Sequence, residues 1–119
     1  MTEFQPDCII NLHVEAQGKP AKVAWVCSVH EHRRGRVVLA RRFLGVVPRA
    51  EAEEAALRFG IEQASRFMQE KVVLAASFRV RDAEKALARF RLSRVGSLSG
   101  EEARLLRDEA EKSFRRRKS

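Results

Sequence analysis

Three carboxylates stand close together at Glu51, Glu53 and Glu54, just where an apolar helical period begins, and Glu53 falls on that period four residues before Leu57. Such a carboxylate projects from a helix toward the edge of a sheet, a position from which a hard cation can be held. Magnesium, however, needs several oxygen ligands and anionic charge to offset its dehydration. The segments around Glu53 supply little of either. From Ala21 to Val47 the sole carboxylate is Glu31, and Lys71 to Phe78 contains none. Cys27, His30 and His32 could suggest zinc, but a strand's two-residue period sends Cys27 and the two histidines to opposite sides. Ser28 and Ser77 sit in no GxSxG nucleophile motif, and neither a glycine-rich phosphate loop nor a dinucleotide fingerprint is present.

The elements that must position these residues are legible from periodicity. Cys8 to Ala16 reads as a strand with Ile10, Leu12 and Val14 on one face, and Gly18 to Pro20 turns the chain. Lys22 to His30 alternates Val23, Trp25, Cys27 and Val29 against Ala24, Val26 and Ser28, and the HEHRRG segment ending at Gly35 closes a hairpin. Arg36 to Val47 predicts a third strand whose Arg41 and Arg42 break the alternation, as a bulge or an exposed edge does. Pro48 starts the longest helix, with its acids at the positive end of the helix dipole and a stripe of Leu57, Ile61, Ala64 and Met68 flanked by Ala56, Gly60 and Phe67. Lys71 to Phe78 is a buried parallel strand, Asp82 to Phe90 a short helix, and Arg91 to Val95 a last short strand. Ser99, followed by Glu101 and Glu102, caps a final helix to about Phe114. Three strands in a meander, then alternating helix and strand, imply one α/β domain over residues 1–119: a mixed five-stranded sheet, antiparallel then parallel, with helices on both faces. A frayed basic tail at 115–119 ends it.

The chain of 119 residues carries a formal charge of +8, which attracts polyanions with an affinity that falls as salt rises. Cys8 and Cys27 match no CxxC spacing, and the first residues include Glu3 and Asp7 in place of a basic then apolar leader. These features predict a cytoplasmic protein with reduced thiols. No apolar run approaches the ~20 residues that a membrane-spanning helix needs.

Four motifs, in order, resemble the ribonuclease H family from about Ile9 to Ala110. The family's GNPG loop and tryptophan-bearing second strand are matched by GKPA at Gly18 to Ala21 and by Trp25. Its AExxAL helix is matched by Ala52 to Leu57, and the aspartate-serine end of its fourth strand by Ala76 and Ser77. Its last helix, close to NEEADRLAREA, is matched by GEEARLLRDEA at Gly100 to Ala110. The resemblance implies a ribonuclease H-like fold and two-metal hydrolysis of phosphodiesters by four carboxylates. Position by position, those places hold His13, Glu53, Ala76 and Arg104 here. One carboxylate in four remains.

Neither metal nor catalytic residue is therefore expected. Arg104, charged at any physiological pH, should pair with Glu53 or share a phosphate with it. A rescue set of His13, Glu15, Glu51 and Glu53 is disfavoured, because Glu51 leaves the helix stripe. The resulting expectation is a non-catalytic nucleic-acid binder that takes an RNA/DNA hybrid or duplex RNA on Lys19, Arg79, Arg81, Arg94 and Arg104. The chain has no tyrosine, which argues against stacking on single strands. The alternative is a protein-interaction or homodimer scaffold using the third-strand edge and the final helix. A residual metal-dependent ribonuclease is the third choice, and only that reading calls for Mg2+.

Overall fold

The computed structural model describes residues 5–67 and 70–115. Eight elements follow one another: β1 (Cys8–Gln17), β2 (Lys22–Glu31), β3 (Arg36–Gly45), α1 (Arg49–Arg66), β4 (Lys71–Ala76), α2 (Ala83–Ala86), β5 (Leu92–Ser97) and α3 (Gly100–Arg115). The sheet has the order β3-β2-β1-β4-β5. β2 pairs antiparallel with β1 and β3, while β4 is parallel to both β1 and β5. The expected mixed five-stranded sheet therefore forms, with one helix laid on each face.

The two faces follow from the two-residue period of the strands. Ile10, Leu12, Val14, Trp25, Cys27, Val29, Val72 and Leu74 form the main core with the buried side of α1. On the other face Val26 packs against Leu106 and Ala110 of α3, with Leu98 at the margin. The centre of the α1 stripe differs from the sequence expectation. It runs Ala52, Ala56, Gly60, Ala64, with Ile61 beside it, and Leu57 is half-buried. Small residues let α1 lie close to the sheet: a Cβ added at Gly60 would meet Ile10 Cγ2 at 2.5 Å and Cys27 Sγ at 3.2 Å. Glu53 consequently belongs to the row beside the stripe. Met68, predicted as part of the stripe, lies outside the described residues.

Further differences concern the ends of elements. The alternation of β3 continues through Arg41 and Arg42, which pair with Val26 and Trp25 and so point to opposite faces. The irregularity comes later, where Val23 pairs with Gly45 and Ala24 with Phe43, leaving Leu44 as the additional residue of a bulge. β3 is an edge strand, as its arginines suggested. β4 stops at Ala76, before Phe78. The helix expected over Asp82 to Phe90 shrinks to Ala83–Ala86: Asp82 takes a left-handed conformation (φ 50°) without a side-chain cap at its start, and the backbone leaves the helix at Leu87 (φ −99°, ψ 7°). Its apolar residues still serve the core, with Leu87 and Phe90 both buried. At the start of α3 the Ser99 Oγ accepts the backbone N–H of Glu102 at 3.2 Å, the predicted cap. Arg115 is the last residue of α3, so the expected tail does not begin there, and its remaining residues, 116–119, lie outside the described ones.

Candidate functional site

Topology gathers the candidate residues at one end of the sheet. β1, β3, β4 and β5 all run in the same direction, so the segments that follow them emerge together. These are the Gly18–Ala21 turn with Lys19, the start of α1 with Glu53, the connection through Arg79 and Arg81, and the start of α3 with Arg104. Gly18 takes the left-handed conformation (φ 86°) that the turn requires. Arg94 is the exception. It lies within β5 opposite Val73, three residues short of the strand end, and is exposed.

His13 is 7% exposed and on the α3 side of the sheet, paired with Val26. Its Nε2 lies 2.9 Å from Glu15 Oε1, and its Nδ1 lies 2.7 Å from Ser77 Oγ. The carboxylate can only accept, so Nε2 carries the proton of that hydrogen bond, and Nδ1 is bonded to the Ser77 hydroxyl. Both ring nitrogens are committed. Ala76, the motif's fourth-strand position, pairs with Leu12 and belongs to the α1-side core. The side chain that meets His13 is that of Ser77, one residue later.

Glu53 is on the other side of the sheet. Its Oε2 accepts from Arg49 Nε at 3.3 Å, one helical turn earlier. The expected Glu53–Arg104 ion pair does not form, because α1 and α3 pack on opposite faces; Arg104 is exposed. The neighbours of Glu53 come instead from the segment after β4. A depression of ≈ 360 Å³ is lined by Glu53, Leu57, Phe78, Arg79, Val80 and Arg81, among others. Arg79 and Arg81 are exposed, and among the described residues neither forms an ion pair.

A pair of magnesium ions does not fit this set. One carboxylate is already tied to a guanidinium, the imidazole has no free nitrogen, Ala76 has no donor, and Arg104 is a cation. Among the described residues no group of three His, Cys, Asp or Glu side chains converges on a metal position. The rescue set is split by the sheet, with His13 and Glu15 on the α3 side and Glu51 and Glu53 on α1. The zinc set is split too: Cys27 is buried in the main core, while His32 Nδ1 lies 3.1 Å from the Pro6 carbonyl oxygen.

Sequence reasoning missed two partners. Arg49 was legible, because it precedes Glu53 by four residues on a helix. Ser77 was not, because its meeting with His13 depends on the parallel register of β1 and β4.

No protein-family model matches the sequence, and no curated protein does. Solved structures do match. An N-terminal RNase H domain from Mycobacterium tuberculosis, solved as a fusion with maltose-binding protein, superposes with a TM-score of 0.70 at 12% identity, over 89% of this chain and 97% of that one. The foamy viral protease-reverse transcriptase in complex with dsDNA gives 0.70 at 10% identity, over 95% and 97%. LC11-RNase H1, isolated from compost by a metagenomic approach, gives 0.58 at 14% identity in its complex with an RNA/DNA hybrid, over 90% and 99%.

Proposed function

Starting from a ribonuclease H-like fold, we propose that this domain binds duplex nucleic acid, an RNA/DNA hybrid or duplex RNA, through basic side chains and without metal-dependent hydrolysis. One observation carries this reading: Glu53, the single carboxylate among the four inherited positions, is paired with Arg49 and flanked by Arg79 and Arg81, which are exposed and free of ion pairs among the described residues. Cations without partners at the carboxyl end of parallel strands attract phosphates, and a guanidinium engages a phosphate in bidentate fashion. Lys19 and Arg104 flank this edge on the turn and on α3, and Arg94 extends the basic surface along β5. Contacts of this kind grip the backbone, so recognition rests on duplex shape and 2′-hydroxyls. The complexes of the foamy viral enzyme with dsDNA and of LC11-RNase H1 with a hybrid support this choice of ligand class.

The test combines a magnesium and manganese titration, followed by NMR at Glu53, with hybrid binding by an Arg79, Arg81 and Arg104 triple-alanine variant. Weakened binding in the variant and no saturable metal site are expected. Saturable millimolar binding with cleavage of the hybrid would instead establish a residual ribonuclease.

A homodimer is the second reading. It is favoured by the edge strand β3, where Val37 and Leu39 are 59% and 50% exposed. Light scattering in high salt separates the two readings: a stable dimer without affinity for nucleic acid supports the second. No helix among the described residues is long and apolar enough to cross a membrane. We assign the protein to the cytoplasm, in keeping with its free, buried Cys8 and Cys27.

A further inference from the structure

A second cationic depression lies beside the first, along the exposed flank of α1. It encloses ≈ 610 Å³ and is lined by Arg58, Arg81, Lys85 and Arg89, with Glu62 and Asp82 the acids among them. Four cations against two carboxylates leave two positive charges in excess. All six side chains are exposed, and among the described residues none of them forms an ion pair. Arg58 and Glu62 are four residues apart on α1, the spacing at which a helix forms such pairs, yet they make none. Arg89 Nη1 donates to Ser65 Oγ at 3.2 Å, which fixes its guanidinium against α1. The groove thus collects like charges that little within the chain neutralises, and a bound polyanion would relieve their repulsion.

Its position gives the ligand a direction. Arg81 and Asp82 also line the strand-end depression beside Glu53 and Arg79, so the two depressions adjoin. From Glu53 to Glu62 the track follows nine residues of α1, about 14 Å at ~1.5 Å per residue. Phosphates along one backbone lie roughly twice as far apart as the ~3.4 Å axial rise per nucleotide, so this length spans about three of them. We infer that Arg58, Arg81, Lys85 and Arg89 form a second phosphate track, which carries one backbone of the bound duplex away from the strand end along α1 and α2. The inference rests on the nucleic-acid reading above and adds the path that the strand takes.

The experiment compares the wild type with a K85Q/R89Q variant and an R79Q variant, using anisotropy of a labelled RNA/DNA hybrid of about 12 base pairs between roughly 0.05 and 0.2 M salt. Each lost phosphate contact lowers the slope of log K against log salt by about 0.9, so K85Q/R89Q should lose about 2 from the slope and bind roughly tenfold or more weakly. All three residues are exposed, so the fold should tolerate the changes. An unchanged slope and affinity in K85Q/R89Q, alongside weaker binding by R79Q, would overturn the second track and leave the proposed function standing. A wild type that binds no hybrid would remove both. Displacement of the hybrid by an oligoglutamate of equal charge, at equal concentration, would show a general anion site and also overturn the track.

Discussion

At the scale of single residues, the proposed binding surface turns on Glu53. Its carboxylate pairs with Arg49 and lines one depression with two arginines of the following loop, a place where it would oppose the phosphate of the proposed ligand. Two exposed unit charges 4 to 10 Å apart interact by roughly 0.4 to 1 kcal/mol in water. Glu53→Gln should therefore tighten hybrid binding about two- to fivefold in an anisotropy titration; loss of binding would mean that the carboxylate contributes to the ligand site. On the other side of the sheet, His13 is held between Glu15 and Ser77. Half of this arrangement was legible: Glu15 follows His13 by one strand period, so they share a face. The Ser77 contact was hidden because motif matching sets sequence against sequence and cannot see which side of β4 faces β1. Likewise, the helical motif singled out Glu53 and the last-helix motif Arg104, but neither showed that α1 and α3 pack on opposite faces of the sheet.

At the scale of elements, the contacts of α1 and α3 with the sheet can be tested by substitution and by pH. The close approach of α1 at Gly60 leaves no room for a methyl group, so Gly60→Ala should destabilise the fold by about 1–3 kcal/mol in urea unfolding, despite alanine's better helix propensity. On the opposite face Glu109 of α3 accepts from Arg41 of β3 and from Lys112 at 2.9 Å, clasping the helix to the edge strand. The Lys112 hydrogen bond holds the Glu109 carboxyl below its ordinary value; burial opposes this, and Arg41 reinforces it. At Glu31, burial raises the carboxyl, but the backbone N–H of Arg34 and the Arg36 guanidinium outweigh it and lower it overall. A carboxyl lowered in the folded state adds stability that is complete above its unfolded value and is lost as pH falls through the folded one. Stability should therefore decline as pH falls below about 4.5, and E31Q and E109Q should each flatten that decline in pH-dependent urea unfolding. The strands and long helices were legible because their periods run for many residues. The second helix was overestimated because Ala83, Ala86, Leu87 and Phe90 are apolar at helical spacing, although the left-handed backbone of Asp82 and the short Ala83–Ala86 span let Leu87 and Phe90 reach the core from a turn.

At the scale of the whole molecule, the parallel direction of four strands brings a turn, two helix starts and a basic loop to one end. This convergence was legible in outline, since the order of elements dictated the sheet. The groove beside α1 was not, because Arg58 and Arg89 are distant in sequence and meet only when the chain after β4 folds back along the helix. Charge also predicts the kinetic and salt behaviour of the molecule: log K for a hybrid should fall linearly with log salt, with a slope of about −0.9 for each phosphate engaged. The most direct measurement follows a labelled RNA/DNA hybrid by anisotropy, in EDTA and in magnesium, with the same samples then run on a denaturing gel. The hybrid should bind in EDTA, lose affinity with salt, and remain intact in magnesium; binding that requires magnesium, or a cleaved strand on the gel, would contradict the account.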